Sequence, residues 1–146
     1  MRNRRRTTTL AIILLTMLLT GCLAPSIKLT IDPIEVNQGN KELEATMHFR
    51  LSGFSSRYEI GKIEGVILDA TGKKLHEFSE DLAIHFPVAP LITQKREVKI
   101  PLTGASFYAD LQDPNQFGKL KGQYYELQVV LTGTTRTEGK GQIFFK

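Results

Sequence analysis

Leu43-Glu44-Ala45-Thr46-Met47-His48-Phe49-Arg50-Leu51 sets the fold class of this chain. Leu43, Ala45, Met47, Phe49 and Leu51 alternate with Glu44, Thr46, His48 and Arg50, a strict period of two. Successive side chains of a β-strand point to opposite faces, so this pattern predicts a strand with one buried and one wetter face. The same alternation recurs at Tyr125, Leu127, Val129 and Leu131, and at Val98, Ile100 and Leu102. One-sided burial of this kind is the habit of antiparallel sheets. Pro101 has no amide hydrogen to donate, so its strand is expected to lie at an edge or to end there.

On either side of this stretch, further strands are expected at 27–31 and 34–36, 60–69, 74–78, 82–86 and 142–146. Ile27, Leu29 and Ile31 share one phase, and Ile34 and Val36 resume in the other after Pro33. Such a slip at a proline predicts a bulge or a first strand that switches sheets. Asp69-Ala70-Thr71-Gly72 predicts the turn of a hairpin into Lys74–Phe78. Connections are expected at 37–40, 87–90, 113–115 and 133–141, and residues 105–111 could form one helical turn or an irregular crossover. Seven or eight short strands with no long amphipathic helix predict an all-β fold, a single antiparallel β-sandwich over residues 27–146.

Two resemblances agree with that architecture. Tyr124–Leu131, followed by Thr132-Gly133 and a glycine-bearing hairpin into Gln142–Phe145, resembles the final strand pair of immunoglobulin-like or fibronectin-type-III-like sandwiches. The Cys…Trp…Cys core of antibody domains is absent. Ile63–Leu68, the Gly72 turn and Val98–Leu102 more weakly resemble the WHy or late-embryogenesis-abundant type 2 domains, whose Asn-Pro-Asn is missing here.

The N-terminal region speaks to location. Arg2, Arg4, Arg5 and Arg6 precede the apolar run 10–19, LAIILLTMLL, as in the n- and h-regions of an export signal. A permanent span needs roughly 20 apolar residues, so the run is too short for one. Leu19-Thr20-Gly21-Cys22 follows and holds the chain's single cysteine. The arrangement resembles the lipobox of bacterial lipoproteins. The resemblance implies cleavage between Gly21 and Cys22 after residues 1–21, a diacylglyceryl thioether on Cys22, and a short tether over 22–26. The alternatives are an uncleaved transmembrane anchor and an ordinary secreted protein with a buried thiol. Leu23 stands where an aspartate would favour inner-membrane retention in that family. The periplasmic face of the outer membrane is therefore the expected location if the host is Gram-negative.

The chain carries 19 basic and 15 acidic side chains, and the four leader arginines account for the whole surplus. Residues 22–146 are balanced, which excludes a nucleic-acid reading based on charge. His48, His76 and His85 fall in three different expected strands, with no metal-ligand pair among them. Gly53-Phe54-Ser55 and Gly104-Ala105-Ser106 do not complete a nucleophile elbow. Asp110, Asp113 and Asn115 lack the spacing of an EF-hand loop. Glu80-Asp81 would face opposite sides of a strand.

No catalytic residue, metal or cofactor is expected beyond the lipid on Cys22, and no enzymatic activity. The remaining candidate is the apolar connection after Phe86, in which Phe86, Pro87, Val88, Pro90 and Leu91 either pack over an open end or form an interaction loop. Phe107, Tyr108, Phe117 and Tyr124 pose the same choice, with packing favoured. The resulting expectation is a lipid-anchored, non-enzymatic accessory or protein-interaction module. Its partners would be the membrane, through the anchor, and an envelope protein. The alternative is a small-ligand or lipid-binding sandwich with a pocket between its sheets.

Overall fold

A computed structural model describes residues 24–87 and 92–146. The strands are β1 (Ser26–Ile31), β2 (Ile34–Val36), β3 (Glu42–Ser52), β4 (Tyr58–Asp69), β5 (Lys74–Phe86), β6 (Thr93–Pro101), β7 (Tyr125–Gly133) and β8 (Arg136–Phe145). They form one sheet in the order β1-β3-β6 and a second in the order β2-β8-β7-β4-β5. Neighbours run antiparallel, except that β2 lies parallel to β8. This is an all-β sandwich of two sheets.

The alternating residues face inward as their period requires. On one sheet Leu43 lies opposite Ile100 and Ala45 opposite Val98, while Phe49 pairs with Leu29 across β1. Ile63 and Ile67 of β4 sit beside Leu131 and Leu127 of β7 on the other. Leu43, Met47, Phe49, Leu51, Ile63, Ile67, Leu127 and Leu131 are all fully or almost fully buried. Each such side chain contributes about 1.5–3 kcal/mol of hydrophobic stabilisation relative to exposure.

The slip at Pro33 is a sheet switch: β1 belongs to the three-stranded sheet and β2 to the other. Glycines close the sandwich where the chain crosses. A Cβ on Gly139 would lie 2.5 Å from Leu29 Cδ2, and one on Gly141 would lie 2.8 Å from Ile31 Cγ2. Pro101 ends β6, which pairs with β3 alone and is an edge strand.

Two strands are longer than their periodicity predicts. The expected pair 74–78 and 82–86 is the single 13-residue strand β5, and β8 begins at Arg136 rather than Gln142. The crossover from β6 to β7 holds the helix α1 (Tyr108–Gln112) and a 3-10 turn at Phe117–Lys119. Its aromatics are mostly core: Phe107 and Phe117 are buried and meet Phe145 edge-on, at ring separations of 5.5 and 6.3 Å. Tyr125 packs on Phe145 at 4.9 Å. This cluster plugs one end of the sandwich.

Candidate functional site

The opposite end carries the start of the described chain. Ser26 pairs with Ser52, Tyr58 with Phe86, Arg50 with Thr93, and Thr132 with Arg136. Those registers bring Ala24, the loop 53–57, the end of β5, the start of β6 and the β7–β8 turn to one end. Gly53 has a φ of 81°, and any side chain there would collide with the Ala24 carbonyl and approach Pro25 Cα at 2.9 Å. The loop therefore needs glycine both for its left-handed backbone and for contact with the incoming chain.

Hydrogen bonds hold this loop. Tyr58 is fully buried, and its hydroxyl lies 2.8 Å from the Ser52 carbonyl and 2.9 Å from that of Gly53, donating to them. Thr134 Oγ1 accepts from the Glu59 amide at 2.9 Å and donates to the Arg57 carbonyl at 3.2 Å. Ser55 Oγ donates to the same carbonyl at 2.6 Å. The Arg57 guanidinium reaches Glu59 at 3.0 Å and His85 Nδ1 at 3.1 Å. On this fixed loop Phe54 is 71% exposed, and Ile92 nearby is 55% exposed.

Phe86 does not join that surface. It is buried, 5.0 Å from the Phe49 ring, with the Arg96 guanidinium 5.6 Å above its own. Pro87 is exposed. Val88, Pro90 and Leu91 lie outside the described residues, as do Gly21 and Cys22.

A second feature is a depression of about 470 Å³ over β4, β5, β7 and β8. Its lining includes no residue of the facing sheet, so it opens on the outer face and not between the sheets. Half-buried Val66 and Val130 form its apolar centre, and Glu64, Glu77, Glu138 and Lys140 rise around them. Beside it, Glu126 accepts from Tyr124 Oη at 2.9 Å and Gln128 Nε2 at 2.5 Å, and Lys140 Nζ lies 3.5 Å away. The Gln128 and Tyr124 hydrogen bonds, with the Lys140 charge, hold the Glu126 carboxyl below its ordinary range.

The other sequence candidates do not converge. His48 meets Asp32 at 2.9 Å, buried His76 bonds the Pro101 carbonyl at 2.8 Å, and His85 joins the Arg57–Glu59 pair. Asp113 Oδ1 accepts from the Asn115 amide at 2.8 Å, an ordinary turn. Among the described residues no three His, Cys, Asp or Glu side chains come together, and no helix is long and apolar enough to cross a membrane.

Neither feature was anticipated from the sequence. Phe54 was legible as a lone large apolar residue between Gly53 and Ser55-Ser56. Val66 and Val130 lie in the runs Val66-Ile67-Leu68 and Val129-Val130-Leu131, which break the period of two and mark strands apolar on both faces.

No known family and no curated protein matches the sequence. Among solved structures, the sporulation control protein Spo0M of Bacillus subtilis is similar at 14% identity and a TM-score of 0.42, over 84% of this chain and 49% of that one. The chain thus spans about half the length of that protein. The CARDB domain of the Pyrococcus furiosus PF1109 protein, solved with di-metal ions, is similar at 12% identity and a TM-score of 0.36, over 85% of this chain and 97% of that one. A β-glucuronidase of Bacteroides uniformis shares 9% identity at a TM-score of 0.34, with 84% of this chain and 12% of that one covered.

Proposed function

We propose that the chain is a lipid-anchored lipoprotein of the cell envelope whose sandwich is a non-enzymatic accessory or protein-interaction module. The observation that carries the reading is Leu19-Thr20-Gly21-Cys22, placed after an apolar run and four residues before the first strand. Thioether lipidation supplies two acyl chains. At about 0.8 kcal/mol per buried methylene, two chains give durable attachment where one is marginal. Leu23 favours the periplasmic face of an outer membrane in a Gram-negative host.

The outer face of the five-stranded sheet supports an interaction role. An apolar centre ringed by charge is the usual anatomy of a protein interface. The small-ligand alternative expects space between the sheets, whereas this depression lies outside them.

Metabolic labelling with an alkyne fatty acid, followed by membrane fractionation, tests the anchor. Wild type is expected to be labelled and sedimented, and Cys22→Ala to lose both properties. Retained labelling in Cys22→Ala refutes the anchor. A photo-crosslinking residue at Val66 or Val130 tests the interface in the native envelope, with Thr30 on the other sheet as control. One reproducible protein adduct from the first two positions supports the reading, and adducts indistinguishable from the control refute it.

A further inference from the structure

We propose that the end of the sandwich bearing Phe54 and Ile92 rests on the lipid bilayer, with Phe54 seated in the headgroup region as a second, non-covalent contact. The inference deepens the anchoring reading and rests on it.

Reach brings this end to the membrane. One residue, Leu23, separates Cys22 from Ala24, so the acylated residue lies within about 7 Å of Ala24, since a chain extends at most ~3.6 Å per residue. Ala24 in turn touches Gly53, the residue before Phe54. A loop that close to an acylated residue has no room to stand clear of the headgroups. The same limit leaves no space for a folded protein between this end and the bilayer.

The chemistry of the end agrees. Phe54 and Ile92 are the two most exposed large apolar residues among those described, and both are at this end. The Tyr58 and Thr134 hydrogen bonds keep the loop in place, so presenting Phe54 requires no ordering on contact. Apolar and aromatic side chains with nearby cations are what the bilayer interface accepts. Lys28, Arg50 and Lys95 supply the cations. Lys28 and Arg50 are cross-strand neighbours, and Lys95 lies opposite His48 on the same sheet. All three are exposed, and none has a carboxylate partner among the described residues.

The chain has no tryptophan, so Phe54→Trp and Tyr124→Trp each place one fluorescent reporter, at opposite ends of the sandwich. The acylated proteins, expressed from the whole chain, are reconstituted in vesicles of phosphatidylethanolamine and phosphatidylglycerol doped with brominated phosphatidylcholine. Mass spectrometry of the same samples reads the modification on Cys22. Emission from the Phe54→Trp protein is expected to shift to the blue and to fall by about half or more, as for a side chain held ~5–10 Å into the headgroup boundary. The Tyr124→Trp protein is expected to keep its emission. If Cys22 is acylated and the Phe54→Trp reporter is no more quenched than the Tyr124→Trp one, the membrane contact alone is overturned. An unmodified Cys22 overturns the anchor and the contact together. A Phe54→Trp reporter shielded from both aqueous iodide and bromolipid overturns the contact in favour of burial against a second copy of this chain, the one other protein surface in the vesicles.

Discussion

Removing one hydroxyl tests whether the Phe54 loop is held as described. Tyr58 is fully buried, and its single phenolic proton is shared between the Ser52 and Gly53 carbonyls at 2.8 and 2.9 Å. Tyr58→Phe keeps the ring and its packing, so it isolates the polar contact. A net hydrogen bond is worth about 0.5–1.5 kcal/mol, and leaving a partly buried acceptor unpaired raises the loss to about 1–2 kcal/mol. Near the melting temperature, unfolding entropy is about 2.1 cal/mol/K per residue, or roughly 250 cal/mol/K for ~120 residues. The expected fall in Tm is then about 4–8 °C by the same relation.

Thermal melts followed by far-ultraviolet circular dichroism measure this shift. Tyr124→Phe is the matched control, because its hydroxyl bonds Glu126 at 2.9 Å on an exposed surface. Exposed substitutions of that kind stay within about 0.5 kcal/mol. If Tyr58→Phe melts no lower than Tyr124→Phe, the loop is not held by this hydroxyl, and the fixed presentation of Phe54 loses its main support.

Gly65→Ala should destabilise by about 1–3 kcal/mol in urea titrations, the usual cost of overpacking. Its Cβ would lie 2.5 Å from Phe78 Cζ and 2.8 Å from the Gln128 carbonyl oxygen, and that second neighbour is backbone that cannot swing aside; an unchanged midpoint would contradict the packing. Burial, and secondarily the Asp69 and Asp110 charges, push the Tyr125 phenol above its ordinary 10.0. Its stabilising share is therefore full below pH ~10 and lost as pH rises through the raised folded value. Wild type should lose more stability than Tyr125→Phe as pH rises above about 10, and parallel curves for the two would refute that burial effect.

Most of the sandwich is legible in the sequence because its central strands bury one face. β3 displays that alternation without a break, and the phase slip at Pro33 foretells the sheet switch. The signal fades where inward positions are not filled by apolar residues of the strand itself. In β8 the inward positions are Thr137, Gly139, Gly141, Ile143 and Phe145, and β1 fills the space over the two glycines with Leu29 and Ile31. The first half of β8 thus reads as a loop. β5 is an edge strand, and from Ser79 to His85 its residues are half-buried or exposed, so Ser79-Glu80-Asp81 reads as a break that the backbone pairing with β4 does not make. The helix α1, five residues long, is too short for any period to show. The candidate surfaces are harder to read, since the Phe54 end depends on which connections fall together and the Val66–Val130 face on which strands are neighbours, and both are set by the order and direction of the strands.

Strand parity sets that arrangement. β1 leads away from the Ala24 end, and the switch into β2 keeps its direction, since β2 runs parallel to β8. Every later return of the chain follows from antiparallel pairing. The 53–57 loop, the end of β5, the start of β6 and the β7–β8 turn fall at the Ala24 end, while the Asp69–Lys73 turn, the helical crossover and Lys146 fall at the aromatic-plugged end. On the proposed reading the bilayer occupies the first end, which leaves the sheet faces for recognition. Val66 is eight residues along β4 from Tyr58, or about 26 Å at ~3.3 Å per residue. A partner seated over Val66 and Val130 would then be held at about that height above the membrane, on a domain whose Phe54 contact resists tilting. A lone lipidated cysteine would limit neither the height nor the tilt of the domain; on the proposed reading a short tether with a second contact on the same end limits both.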